Sequence, residues 1–246
     1  MGETLRNFKR YNQKIGKFVY SQRQNITLGL ALFAVVVSLY NSYVIKTGGN
    51  GSYQNVPTGT SVVFAPIKIL DKIPNGTPVL GNKDAKVTFV EFGDYQCPYC
   101  EKFFSDSLPD IKKNYIDTGK IKFIFIDTAF LGQESKDAVE AAYCANEQGK
   151  FWQYHDALYK NQGGENTGEF SSANLKKFAE QLGLDGTQFD RCLNSNKYEG
   201  LISDELKLAT SFGVNGTPTF IIGKQIIKGS EPLDIIKQAI DSELSS

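Results

Sequence analysis

Histidine, methionine and tryptophan each occur once in the 246 residues, and that scarcity excludes several chemistries at once. With no His-rich or Met-rich stretch, the chain lacks the donors that copper handling uses. Lys and Arg number 27 against 27 Asp and Glu, so no surplus of positive charge is available for the phosphates of DNA or RNA. Nucleic acid is therefore not expected as a partner. Cysteine is sparse too: Cys97, Cys100, Cys144 and Cys192 are too few for a small disulfide scaffold and too scattered for a four-cysteine zinc cage. There is no internal repeat. What is present is 41% hydrophobic residues, in a chain long enough for one sizeable domain and an appendage.

Charge is balanced overall but not locally. Residues 1–24 hold six cationic side chains against Glu3 alone, a net +5, and Asn25–Ile45 follows with no charge across 21 residues. A helix of about 20 apolar residues crosses a bilayer. The run ends in Leu39, Tyr40, Asn41, Ser42 and Tyr43, not in the small residues that a signal peptidase needs, so it is expected to remain as an anchor. The basic flank places the N-terminus in the cytoplasm and the rest of the chain on the extracytoplasmic side of the membrane. Residues 46–60, rich in Gly, Ser, Thr and Asn, are expected to be a flexible linker. Residues 61–246 then form the globular domain.

Within it, "KVTFVEF", Lys86–Phe92, suits a buried strand. Phe104, Leu108, Ile111 and Tyr115 recur at helical spacing, with Pro109 kinking the pattern. "KIKFIFID", Lys120–Asp127, alternates as a second strand, and strand, helix, strand at this length predicts a parallel βαβ unit. A helical block follows over about 132–213: Gly132–Gln148, Lys150–Asn161, a helix through Leu175 and Phe178 capped by Ser171 or Ser172, a short one at Phe189–Leu193, and one with Ile202, Leu206 and Ala209 on its inner face. "PTFIIGKQIIKG" returns to strands around a Gly223-Lys224 turn, and a last helix carries Leu233, Ile236 and Ile240. The predicted class is α/β with an inserted helical block.

Chemistry concentrates in "GDYQCPYC". Cys97 follows a strand and precedes a helix, with Pro98 at the position proline favours. A cysteine there faces unpaired backbone N–H groups and the positive end of the helix dipole, which favour the thiolate. Cys100, one turn deeper, suits a resolving thiol. Zinc knuckles share the spacing but need a second ligand pair near by, and Cys144 and Cys192 stand 48 residues apart. His155 shares a helical face with Phe151 and Leu158 and is expected to be a packed core residue. After Lys86 at its start, Glu91 is the only charged residue in a strand expected to be buried; the alternative is an edge position in solvent. Pro218 in "NGTPTF" stands just before a strand, where an X-Pro bond can be cis or trans.

Taken together, the strand, Cys97-Pro98-Tyr99-Cys100, the inserted helices, Thr217-Pro218 and the terminal hairpin and helix resemble the DsbA family of thioredoxin-fold thiol–disulfide oxidoreductases, and more narrowly its membrane-anchored, BdbD-like members. The resemblance covers most of Lys86–Leu244. It implies a thioredoxin-like fold, Cys97 as nucleophile, Cys100 as resolving cysteine, a cis Pro218 facing them beside Thr217, and Glu91 as a buried proton relay. It also implies that Cys144 and Cys192 are bonded, two buried free thiols being the alternative. The implied partners are extracytoplasmic protein thiols as substrates and a membrane protein of the DsbB or VKOR type as re-oxidant, with no cofactor. Pro-Tyr between the cysteines, where the best-known oxidase has Pro-His, and Thr217 before the proline leave oxidase, reductase and isomerase open. A metal-binding module using Cys97 and Cys100 is the reading from another class.

Overall fold

Val87–Gly93 is buried at every position, and a strand buried on both faces belongs in the interior of a sheet. The computed structural model describes residues 63–64 and 69–246. Its elements in chain order are β1 (Val63–Phe64), β2 (Val79–Gly81), β3 (Val87–Gly93), α1 (Pro98–Asp106), α2 (Leu108–Ile111), β4 (Ile121–Asp127), α3 (Gln133–Asn146), α4 (Phe151–Lys160), α5 (Ser172–Gln181), α6 (Gly186–Leu193), α7 (Glu199–Ser211), β5 (Thr219–Ile222), β6 (Gln225–Lys228) and α8 (Leu233–Leu244). The strands lie in the order β1-β6-β5-β3-β4-β2, so β3 is indeed interior. β3 and β4 are parallel and joined through α1 and α2, as the βαβ spacing predicts. β5 runs antiparallel to β3 on its other side. The predicted basic segment 1–24, anchor Asn25–Ile45 and linker 46–60 lie outside the described residues; among those described, no helix is long and apolar enough to cross a membrane.

Register sorts the sheet into two faces. Phe89, Phe123, Phe125, Phe220 and Ile222 point to the side covered by α1, α4 and α8, while Val90, Phe92, Ile124, Ile126 and Ile221 pack with Leu208 and Ala209 of α7. Phe89 alone meets Phe103, Phe123 and Phe220 at centroid distances of 5.3–6.0 Å. Each such ring, taken from water, contributes about 2–3 kcal/mol.

The helical pattern after the cysteines breaks where proline requires. α1 stops at Asp106, Pro109 sits in the first turn of α2, and a wide turn over Lys112–Ile116 follows, closed by the Asp117 N–H on the Lys112 carbonyl at 2.8 Å. One strand was not foreseen and two expectations need correction. β2, an edge strand on β4, is too short for alternation to register. Ser171 occupies the N-cap of α5 but its hydroxyl makes no capping hydrogen bond; the side-chain cap is at Asp185, which accepts from the Gln188 N–H at the start of α6. On α7 the buried face runs through Ile202, Glu205, Leu208 and Ala209, not through Leu206, because α7 turns a carboxyl toward the end of β4.

The insert is closed covalently. Cys144 on α3 and Cys192 on α6 form a disulfide across 48 residues. By loop-closure entropy such a link stabilises by about 4 kcal/mol. Replacing both cysteines with alanine should lower the unfolding free energy by roughly that amount; denaturant titration of the oxidised protein measures it, and a change below about 1 kcal/mol would refute the entropic account.

Candidate active site

The chain leaves the centre of the sheet at Gly93, makes a tight loop over Asp94–Gln96 and enters α1. Cys97 is the N-cap, extended at φ −76° and ψ 120°, and Pro98 follows at the start of the helix. The local sequence produces this directly, since proline needs no N–H partner in a first turn and disfavours helical geometry in the residue before it. Cys97 is 5% exposed, Cys100 is fully buried, and Tyr99 between them is 63% exposed. Both cysteines are free thiols here.

The first turn treats the two sulfurs differently. A hydrogen bond from Cys100 holds the Cys97 thiol down to about 6, the Thr217 side chain and the N–H groups of Cys100 and Tyr99 act in the same direction, and partial burial opposes them. Burial pushes the Cys100 thiol well up, and the hydrogen bond with Cys97 and the carboxyl of Glu91 push it further. One thiol is thus held as a thiolate at neutral pH and the other as a neutral donor to it.

Two parts of the chain distant in sequence complete the wall. The Thr217–Pro218 peptide is cis, and the Thr217 carbonyl lies 3.4 Å from Cys97 Sγ. Glu91, in the middle strand, is 1% exposed, and its Oε1 has no hydrogen-bond partner. Burial raises its carboxyl well above the usual range, and the Cys97 thiolate adds to this. Both effects favour the protonated form of this carboxyl behind the two sulfurs.

Glu91 has buried company that composition alone did not point to. Asp127 closes β4 opposite Gly93, on the face of Glu91, and neither of its carboxyl oxygens finds a partner. Glu205 accepts the Tyr143 hydroxyl at 2.5 Å, while its Oε2 is unpartnered. The space between them, lined also by Tyr95 and Phe125, is too tight for a water molecule. With no salt bridge to any of these acids among the described residues, protonation is what makes their burial tolerable. Burial pushes Glu205 up to about 8 and Asp127 well above its usual range.

A second group fixes the loop. Asp94 is fully buried and accepts from the Gln96 N–H at 2.9 Å, the Ser135 hydroxyl at 2.6 Å and the Leu131 N–H at 3.2 Å. The Gln96 side chain donates to Ser135 and accepts the Asn166 N–H. Gln162, just past α4, donates to the carbonyls of Tyr95 and Cys97. His155 is fully buried among Phe125, Trp152 and Tyr159, and burial lowers its basicity, as suits a packing residue. Glu140, Cys144 and Cys192 converge closely enough to suggest metal ligands, but their sulfurs are bonded to each other.

A thioredoxin-type sheet with a Cys-x-x-Cys at the mouth of its first helix, opposite a cis-proline loop, defines a thiol–disulfide oxidoreductase. The thioredoxin family model matches residues 74–242. Disulfide bond formation protein D of Bacillus subtilis is 32% identical over 179 residues, covering 69% of this chain and 78% of that protein. The oxidised crystal structure of Bacillus subtilis BdbD superposes with a TM-score of 0.65 at 32% identity, covering 70% of this chain and 94% of that one. The thiol-disulfide exchange protein alpha-DsbA2 of Wolbachia pipientis gives 0.61 at 30% identity, covering 71% and 91%. The chain belongs to the DsbA-like family of thioredoxin-fold protein disulfide oxidoreductases.

Two pH experiments follow. Alkylation of Cys97 in the reduced protein should be half-maximal near pH 6, and Thr217→Val should move that midpoint upward; a midpoint at the ordinary thiol value would contradict the first-turn stabilisation. For Glu205 the folded value of about 8 exceeds the ordinary carboxyl value, so its contribution is fully present below about pH 4 and is lost as pH rises to about 8. Glu205→Gln removes that loss and keeps an acceptor for Tyr143. Its stability relative to the parent should rise by at least about 1 kcal/mol between pH 5 and pH 9 in denaturant titrations; a pH-independent difference would show that Glu205 is ionised throughout.

Proposed function

We propose that the chain is a membrane-tethered dithiol oxidase that introduces disulfides into extracytoplasmic proteins through Cys97 and Cys100. The observation that carries this is the contrast between the two thiols, about 6 at Cys97 and far higher at Cys100. A thiolate stabilised in the reduced form favours reduction of the enzyme, which is the oxidising direction for its substrate.

In the reaction, a substrate thiolate attacks Cys97 Sγ of the Cys97–Cys100 disulfide. The S–S bond breaks, Cys100 leaves with the electron pair, and it takes a proton from Glu91, whose protonated carboxyl is raised well above the usual range. The substrate's second thiolate then attacks its own sulfur in the mixed disulfide and releases Cys97 as thiolate. The substrate has lost two electrons and the enzyme has gained them. Thr217 and Pro218 line the wall opposite Cys97 and offer main chain against which an extended substrate segment can lie.

Re-oxidation falls to a membrane protein of the DsbB or VKOR type, with Glu91 regaining its proton when Cys100 becomes the attacking thiolate. Asn25–Ile45 provides the tether, a single span with the N-terminus inside and the domain outside, and raises the effective concentration of the re-oxidant. The name of one relative, "disulfide bond formation protein D", supports the oxidising role.

Cys100→Ala should accumulate mixed disulfides through Cys97, and none should form when Cys97 is replaced as well. The reduction potential of the pair should lie well above the roughly −270 mV of cytosolic thioredoxin; a value at or below that assigns the chain to reduction instead. Protease added to intact cells with a permeabilised outer layer should degrade the domain and leave the N-terminus, whereas full protection would reverse the proposed topology.

A further inference from the structure

The loop that presents Cys97 is held from an element that the cysteine motif itself does not mention. Gln162 lies just past α4, 65 residues beyond Cys97, and its side-chain Nε2 donates to the Tyr95 carbonyl at 2.7 Å and to the Cys97 carbonyl at 3.0 Å. The Cys97 carbonyl also takes the N–H groups of Cys100 and Glu101, each at 3.1 Å, as the first acceptor of α1. The Tyr95 carbonyl has no other partner among the hydrogen bonds of the described residues, and Tyr95 is fully buried. One amide therefore satisfies a buried carbonyl and pins the N-cap of the active-site helix at once. A buried carbonyl stripped of its donor is destabilising by about 1–3 kcal/mol, enough to reshape a three-residue loop.

We propose that Gln162 is a positioning residue for the Cys97 thiol: its amide locks the two carbonyls on either side of Gln96, and this aims Sγ at the first-turn N–H groups of α1 and at Thr217. This rests on the reading of Cys97 as the attacking thiol. The geometry leaves few substitutes. The groups facing Cys97 and its partner are Cys100 and the first-turn amides on α1, Glu91 on β3, Thr217 before β5, and Tyr159 of α4 against Cys100. Of these only the Cys100 amide touches the Tyr95–Cys97 backbone, at the Cys97 carbonyl, and none reaches the Tyr95 carbonyl. The other strap from the insert, Asn166, reaches the Gln96 side chain through its N–H and the Leu131 carbonyl through its amide, so it touches the neighbourhood but not Cys97. Aspartate or glutamate could not replace Gln162, since a carboxylate has no donor for a carbonyl.

The test uses the full chain with the Cys144–Cys192 bond intact and the Cys97–Cys100 pair reduced. Thiolate absorbance is followed against pH for Gln162→Ala, for the near-isosteric Gln162→Glu and for Asn166→Ala. The Gln162 variants should raise the Cys97 midpoint by about half a pH unit or more, about a threefold loss of thiolate at a pH below both midpoints. Attack on a small disulfide should slow in parallel. Asn166→Ala should leave the midpoint in place even where it lowers the melting temperature. Gln162 variants with an unmoved midpoint would overturn the proposal, as would loss of the fold in both, which would make the contacts structural only. The failure of Cys97 as attacking thiol is a separate result: it would show as absent trapping in Cys100→Ala with Gln162 untouched.

Discussion

The rest of the site depends on a hydrogen-bonded sulfur at the first turn of a helix. An N-cap cysteine has no hydroxyl or carboxyl to offer the helix, and α1 begins with no side-chain cap. The Cys100 side chain and the N–H groups of Cys100 and Tyr99 act on the sulfur instead, and each lowers the proton affinity of Cys97. This works only if the preceding backbone is fixed. Asp94 collects the loop's N–H groups, Gln162 collects its carbonyls, and Gly93 has no side chain because a Cβ there would meet the Phe125 ring at 2.4 Å. The helical insert thus supplies part of the hardware that a bare thioredoxin sheet would lack at this point.

Behind the sulfurs the protein faces the opposite problem. Glu91, Asp94, Asp127 and Glu205 are all buried near the end of the sheet where the thiolate sits, with no salt bridge to any of them among the described residues. Two charges of one sign in a low-dielectric interior repel strongly, so a thiolate there favours neutral acids around it. Asp94, with its several donors, is the least strained of the four; Asp127 and Glu205 have too few, and burial raises both carboxyls. The same arrangement that keeps the acids neutral places a carboxylic proton on Glu91 behind Cys100. The buried acids and the reactive thiol are one electrostatic design.

Legibility followed the range of the interactions. The β3–α1–β4 unit could be read from "KVTFVEF", the cysteines and "KIKFIFID", because strand periodicity, the proline at the helix start and the connection length are local facts. Pro109 likewise signalled its own break. α7 was misread by one helical position, since Leu206 and Glu205 differ only in which one the tertiary fold turns toward β4. Asp127 and Glu205 were invisible as a pair for the same reason: 78 positions apart, they meet at the end of a strand whose neighbours no periodicity specifies. Gln162 sits in a Gly- and Asn-rich loop, where a lone glutamine carries no signal.

The sequence by itself determined the dithiol motif, the strand-to-helix transition that exposes it, the inserted helical block and the family. These depend on residue identity over stretches of about a dozen positions, where sterics and apolar periodicity decide the outcome. Only the tertiary structure decided which groups surround the two sulfurs. It brought the Thr217 carbonyl to Cys97, joined Cys144 to Cys192, set Glu91 in the innermost strand and reached back with Gln162. The physical reason is that proton affinity and hydrogen bonding depend on distances in space, and the residues that set them at Cys97 lie up to 120 positions away along the chain.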